Sequence, residues 1–341
     1  MPSRLPFALF ALCALSSTAR AQSARLLVTN EDSGDVSVID LGTDQVIASV
    51  SVGKRPRGIR LSPDGKLALV ALSGSPKGGP GTDEMKLPPP DRTADGVGVL
   101  DLKTLRLQKV LKSGQDPESF DLSRDGKLLY VSNEETAETS VVDLRTGKVT
   151  KKIKVGGEPE GVTLRPDGKV LYVTSEVENK VFAIDVQKRK VLNAIEVGAR
   201  PRSVVFTPDG KTAFVTCELG GQLSVVDGQT HQARGRIAIE APGARPMGAV
   251  LSPDAKVLYV SNGRGSTVSI VDVATEKVSG TIAKVGVRPW GIAVSLDGKR
   301  LYTANGPSND VSVIDLATKA VTKQIKVGQS PWGLALQRPA Q

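Results

Sequence analysis

Histidine and cysteine are almost missing from this sequence: His231 is the only imidazole, and Cys13 and Cys217 are the only thiols, in 341 residues. One imidazole cannot build a histidine-based metal site of the usual kind, and two thiols cannot staple a disulfide framework. No Cys-x-x-Cys-His is present to attach a c-type haem. Aromatic residues amount to only 4%, too few for the stacking platforms that bind single-stranded nucleic acid. The longest apolar run, near the N-terminus, is too short to span a bilayer, so a membrane-spanning helix is excluded. What remains is the composition of an ordinary soluble globular protein, with 39% apolar and 24% charged residues. Lys and Arg outnumber Asp and Glu by 45 to 36, a formal charge of +9. These basic residues are dispersed rather than gathered on one segment, which argues against a nucleic-acid partner.

The first segment reads as an address. Arg4 is followed by an apolar stretch from Phe7 to Leu15 and by Ala19-Arg20-Ala21. That order is the pattern of a secretory signal peptide over residues 1–21 with cleavage after Ala21. It predicts a periplasmic or secreted product, residues 22–341, that keeps Cys217 alone. At such an address Cys217 is either buried and inert or a thiol open to a partner.

A repeat organises the rest of the chain. An Asp closes a β-branched run at Asp40, Asp101, Asp143, Asp185, Asp227, Asp272 and Asp315. A proline recurs in step at Pro56, Pro117, Pro159, Pro201, Pro246, Pro289 and Pro331. Tight turns such as Arg165-Pro166-Asp167-Gly168 and Thr207-Pro208-Asp209-Gly210 keep the same phase. Both marker series advance by 42 to 45 residues, with one step of 61. Each unit reads as four short strands; in the unit from Gly156 these are 161–164, 169–174, 181–186 and 191–197. No stretch has helical periodicity, so the expectation is an all-β fold, a seven-bladed β-propeller of four-stranded blades. The chain enters at Leu26 to Asn30 in the register of a second strand and leaves at Pro331 to Leu336 in that of a first. A C-terminal first strand joined to three N-terminal strands would then close the ring and remove its free edges. Lysines on the outermost strands, such as Lys151, Lys152 and Lys154, read as edge protection.

Tyr130-Val131-Ser132-Asn133, Tyr172-Val173-Thr174-Ser175 and Tyr259-Val260-Ser261-Asn262 resemble the YVTN-type β-propeller repeat. Val-Ser-Val-Ile-Asp at 36–40 and 311–315 belongs to the same pattern, while Leu72, Ser175 and Cys217 stand where that repeat has Asn. Tyr302 to Gly306, Asn309 to Asp315 and Pro331-Trp332-Gly333 look like one subgroup, the exported propellers found alongside PQQ-dependent alcohol catabolism and its transport. The resemblance implies a periplasmic accessory or binding role and carries over no catalytic residues.

In a propeller of this strand order, the residues flanking the repeat proline ring the mouth of the central channel. Arg55, Asp116, Glu158, Arg200, Arg245, Arg288 and Ser330 precede it; Arg57, Glu118, Glu160, Arg202, Met247, Trp290 and Trp332 follow it. Four carboxylates fall on two adjacent blades, six arginines on four others, and the tryptophans lie side by side. Such a ring either orients an anionic or bipolar ligand, or a protein surface, or pairs internally with neighbours such as Glu134, Glu176 and Glu218. The extra length, residues 73–96, is a Gly/Pro-rich loop expected on the same face, either a lid or a tolerated insertion.

These observations favour a non-catalytic binding or protein-interaction module. Its partners would be a periplasmic protein or a small anionic or bipolar ligand, with no cofactor or metal. The alternatives are a propeller hydrolase acting on a lactone and an oxidoreductase subunit, although no repeated Trp docking motif or vicinal Cys pair suggests a bound quinone. His231 reads as an exposed turn residue on the face opposite the mouth rather than a general base. On this reading, loss of charge at Arg200 and Arg202 weakens partner binding and leaves stability nearly unchanged.

Overall fold

The computed structural model of the chain describes residues 23–78 and 83–339; segment 1–21, read above as a signal peptide, lies outside the described residues. Twenty-eight strands form seven four-stranded antiparallel sheets arranged as a ring. Blades 1 to 6 open at Pro56, Pro117, Pro159, Pro201, Pro246 and Pro289. Blade 7 joins the last strand, Pro331–Gln337, to the first three, Arg25–Asn30, Asp35–Asp40 and Gln45–Ser51. The repeat unit from Gly156 folds as Pro159–Leu164, Val170–Ser175, Lys180–Asp185 and Lys190–Glu196, within two residues of the bounds read from its pattern. Among the described residues no helix is long and apolar enough to cross a membrane.

The strands follow from their side chains. In Val170–Ser175 every residue is buried, because this strand lies between two others and is covered by blades on both faces. The outermost strand Lys148–Lys154 buries only Ile153 and leaves its other side chains in water, where Lys152 and Lys154 reach Glu138 at 3.3 and 3.2 Å. The apolar core is accordingly divided into seven clusters. Each is a seam where one blade's second and third strands meet a neighbour, as when Tyr172, Val181 and Ala183 pack with Val204, Phe206 and Val215. Buried amides stiffen four blades: Asn30, Asn133, Asn262 and Asn305 each donate to a serine hydroxyl on the third strand at 2.8–2.9 Å. Cys217 occupies the same place in its blade, fully buried against Ser224, and so takes the inert of its two readings.

Around the axis the innermost strands approach backbone to backbone. A Cβ on Gly161 would lie 2.2 Å from the Arg202 carbonyl oxygen, and one on Gly333 would lie 2.6 Å from that of Arg57. Only glycine, or serine at positions 119 and 203, stands at this third place of each innermost strand. Hydroxyls from second strands lace the same seams, with Ser132 donating to the Glu160 carbonyl at 2.8 Å and Thr216 to that of Met247 at 2.6 Å.

The repeated turn carries one departure. Its fourth residue is left-handed throughout, with glycine at φ of 66 to 75° in five blades and Ala255 at 56° in blade 5. A methyl group in this region is strained where glycine is not. Ala255→Gly is therefore expected to raise stability by about 0.5–1 kcal/mol. An unchanged or lower urea midpoint would refute it.

Candidate functional site at the channel mouth

The mouth is built from a local conflict. The residue before each repeat proline cannot easily be right-handed helical, and here Arg55, Asp116, Glu158, Arg200, Arg288 and Ser330 adopt left-handed φ values of 42 to 55°. The strain is held by a backbone bond, because the residue just past the same blade's second strand donates to that carbonyl. Glu134 donates to Asp116, Glu176 to Glu158, Glu218 to Arg200, and Glu31 to Ser330, at 2.9–3.1 Å. That bond sets Glu31, Glu134, Glu176 and Glu218 as a second series beside the first, and the repeat carries Ser73, Gly263 and Gly306 to the equivalent place.

Of the twelve ring residues read from the sequence, the structure places eleven around a mouth cavity of about 1140 Å³: Arg55, Arg57, Asp116, Glu118, Glu158, Arg200, Arg202, Arg245, Arg288, Trp290 and Trp332. Glu160 sits one step deeper, in the channel. The charges do not stay segregated by blade; they interlock in two lattices. Arg57, with 3% of its side chain exposed, reaches across to Asp116 at 2.6 Å and to Glu118, with Glu134 at 3.6 Å. Arg202 binds Glu160 and Glu176 and meets Glu218 at 2.9 Å, while Arg200 also engages Glu176 and Glu218. Burial opposes the charge on Arg57 and Arg202, yet the surrounding carboxylates outweigh it and hold both above the ordinary arginine value. Arg202 is thus a buried structural cation, and the expectation that its loss leaves stability unchanged is corrected below.

The acids divide by environment. Burial, with other carboxylates adding and Arg57 or Arg202 opposing, pushes Glu118 and Glu160 well above the usual carboxylate range. Asp116 is held low despite burial by Arg57 and by the Ser73 hydroxyl. Glu134, part-exposed at the cavity wall, is pushed up to about 7, mainly by burial and against the pull of Arg57.

The third sector lacks acids. In blades 3 and 7 the pre-proline arginines' opposite numbers are Glu176 and Glu31, which pair with Arg200 and Arg55. Arg288 faces the glycine of that series, Gly263, and has no carboxylate partner among the described residues. It stacks instead over Trp290 at 4.9 Å, and Trp290 meets Trp332 edge-on at 6.2 Å. Partial burial and the nearby Arg264, Arg202 and Arg200 lower the Arg288 pKa, with Glu218 opposing. Arg245 contacts only the Leu219 carbonyl, at 3.3 Å. Arg264, absent from the sequence-derived ring, joins the cavity from the short turn Gly263–Gly265.

The inserted loop lies over this face, with Ser75 to Gly78 and Leu87 to Pro90 lining the cavity. It is tied at several points: Arg55 donates to the Ser75 carbonyl at 2.7 Å, Lys77 pairs with Asp32 and Glu31 at 2.9 and 3.1 Å, and Arg92 reaches Glu135 at 2.9 Å. Two further sequence readings can be placed. His231 is on the opposite face but is half-buried rather than exposed. Its Nδ1 meets the Tyr172 hydroxyl at 2.8 Å, and burial lowers its pKa. Among the described residues no group of three or more His, Cys, Asp or Glu side chains is arranged to hold a metal ion.

A seven-bladed β-propeller with a charged, tryptophan-flanked mouth is the class that fold and site define. Residues 187–330 match a family model described as "Lactonase, 7-bladed beta-propeller", and residues 82–165 match one described as "YNCE-like beta-propeller". Among solved structures the chain is similar to a putative 6-phosphogluconolactonase from Bacteroides fragilis, at 23% identity and TM-score 0.75 over 95% of this chain and 99% of that one. It is also similar to Kuenenia stuttgartiensis hydrazine synthase, at 22% identity and TM-score 0.69 over 82% and 88%. A functionally unknown protein from Desulfotomaculum acetoxidans shares 13% identity and a TM-score of 0.77 over 93% and 100%. None of the curated proteins matches. At these identities the structural likeness speaks for the fold alone.

Proposed function

We propose that the mouth hydrolyses a lactone, the alternative that the sequence placed behind a non-catalytic module. The observation that carries this reading is Glu134. It is a carboxylate at the cavity wall whose pKa of about 7 suits a general base near neutrality. Arg245, Arg264 and Arg288 line the same cavity and have no carboxylate partners among the described residues, so they are available to stabilise developing negative charge. In the step, Glu134 takes a proton from water and the water oxygen bonds to the lactone carbonyl carbon. The ring C–O bond then breaks, and the leaving alkoxide takes the proton back from Glu134 to give the hydroxy acid. The lactonase family match over residues 187–330, which include Arg200, Arg202, Arg245, Arg288 and Trp290, supports the reaction class. The neighbours described as putative 6-phosphogluconolactonases, alike in fold, suggest an anionic sugar lactone as one substrate to test.

The test is turnover on a lactone panel, with the spontaneous rate subtracted. A rate that rises with pH through about 7 is expected, because the base acts deprotonated. Glu134→Gln should lower it by about a hundredfold. No acceleration of any lactone would overturn the reading.

A binding module is the second reading. The Arg288–Trp290–Trp332 cluster favours it, being the composition of interaction hot spots. That reading includes the accessory role in PQQ-dependent alcohol catabolism implied by the repeat motifs. Both readings share a periplasmic or secreted location, which rests on the 1–21 pattern.

A further inference from the structure

Below the mouth the channel narrows and changes character. A second cavity of about 400 Å³ follows the axis, and the fourth residue of every innermost strand lines it: Ile59, Phe120, Val162, Val204, Ala249, Ile292 and Leu334. All seven are apolar, although Arg60, Glu160 and Thr163 also line this cavity and the second residues of the same strands carry charge in four blades. The two cavities meet at Arg202, Met247, Trp290 and Trp332, which line both. At this neck the Trp290 indole N–H is buried and has no hydrogen-bond partner. An indole nitrogen can only donate, and a buried donor left unpaired is costly, so the site calls for an acceptor. Arg288 over the same ring favours a negatively charged one.

We propose that neck and bore together bind an amphipathic ligand. Its carboxylate or lactone carbonyl accepts from Trp290 Nε1 beside Arg288, and its unbranched hydrocarbon tail runs down the bore. The lactone form of this ligand rests on the hydrolytic reading above; the binding site does not. An alkyl-substituted lactone enters tail-first from the mouth and leaves its carbonyl at the neck, in the cavity that Glu134 and the rim arginines line. The corresponding alkyl carboxylate fills the same space.

The chain's only two tryptophans stand at the neck, so intrinsic fluorescence reports the site directly. Titration with butanoate, hexanoate, octanoate and decanoate at fixed pH and salt is expected to give saturable changes. Affinity should tighten roughly fourfold per added methylene until the bore is full. No saturable change, or an affinity independent of chain length, would overturn the proposal and leave the bore to water. Ala249→Phe should abolish the chain-length dependence, and a dependence that survives in a folded variant would mean binding elsewhere. Trp290→Phe, read through Trp332, should weaken every member of the series by roughly tenfold, and unchanged affinity would remove the donor from the site. Chain-length-dependent binding without lactone turnover would sink the hydrolase and leave this site standing. Turnover without any length dependence would do the reverse.

Discussion

Arg202→Ala is expected to cost the ring about 3–5 kcal/mol, the loss typical of breaking a buried ion pair from one side. The side chain is 13% exposed and holds Glu160, Glu176 and Glu218 together, carboxylates that are themselves 3–9% exposed. Its removal leaves three acids in a dry seam between blades 3 and 4 with only Arg200 beside them. The loss should depend on pH. Burial already raises Glu160, and Arg202 is the main influence opposing it; Glu176 is held low in part by the same arginine. Without it Glu160 climbs further above the unfolded value of about 4.3, and Glu176 rises with the loss of an influence that holds it low. Raised carboxyls bind more protons folded than unfolded, so stability is kept at low pH and lost as pH rises through the folded values. Urea midpoints of wild type and variant should therefore lie far apart near pH 8 and draw together toward pH 5. Arg245→Ala, which removes only a contact to a backbone carbonyl, should stay within about 0.5 kcal/mol. A small, pH-independent loss for Arg202→Ala would mean that the lattice is solvated and that its charges are free for a partner.

Deleting residues 330–341 is expected to have a still larger effect, the loss of a single cooperative transition. The deleted strand is the innermost strand of blade 7. It pairs with Arg25–Asn30 in register from Arg25–Gln337 to Val28–Leu334, and its Gly333 N–H donates to the Thr29 hydroxyl at 2.8 Å. It also packs between the innermost strands of blades 6 and 1. Removing it exposes a strand edge and opens the ring at two seams, a loss of the same order as the roughly 5–15 kcal/mol that holds an ordinary domain together. Thermal unfolding followed by circular dichroism checks this. A wild-type midpoint in the truncated chain would show that the ring does not need its clasp.

The blades could be read from the chain because their signals are local. A Pro-Asp-Gly turn fixes a hairpin wherever it stands, and a short run of β-branched and aromatic residues such as Val170–Ser175 needs no distant partner to be seen. Ring membership was legible too, since a fixed repeat carries equivalent residues to equivalent places. The pairing within the ring was not. Arg57 finds Asp116 59 residues away, and His231 finds Tyr172 at the same separation, across seams whose width depends on backbone contacts around the axis. Glu31 escaped notice because it lies in the blade assembled from both ends of the chain, where the period is cut. Arg264 escaped because it stands one place past the position that carries the acids of other blades, within the short turn Gly263–Gly265. The glycines at 263 and 306, set in register against Glu31, Glu134, Glu176 and Glu218, were the available sign that one sector would be left without acids.

The close approach of a glycine to the next blade's carbonyl, repeated at positions 58, 161, 248, 291 and 333, makes the diameter of the pore a property of the main chain. The variable side chain one place earlier can then be exchanged, arginine for glutamate or tryptophan for methionine, without widening or pinching the aperture. Ligand preference in such a barrel can thus drift independently of its architecture. A redesigned specificity can be sought at the unlatticed second positions, Met247, Trp290 and Trp332, with the hub left untouched.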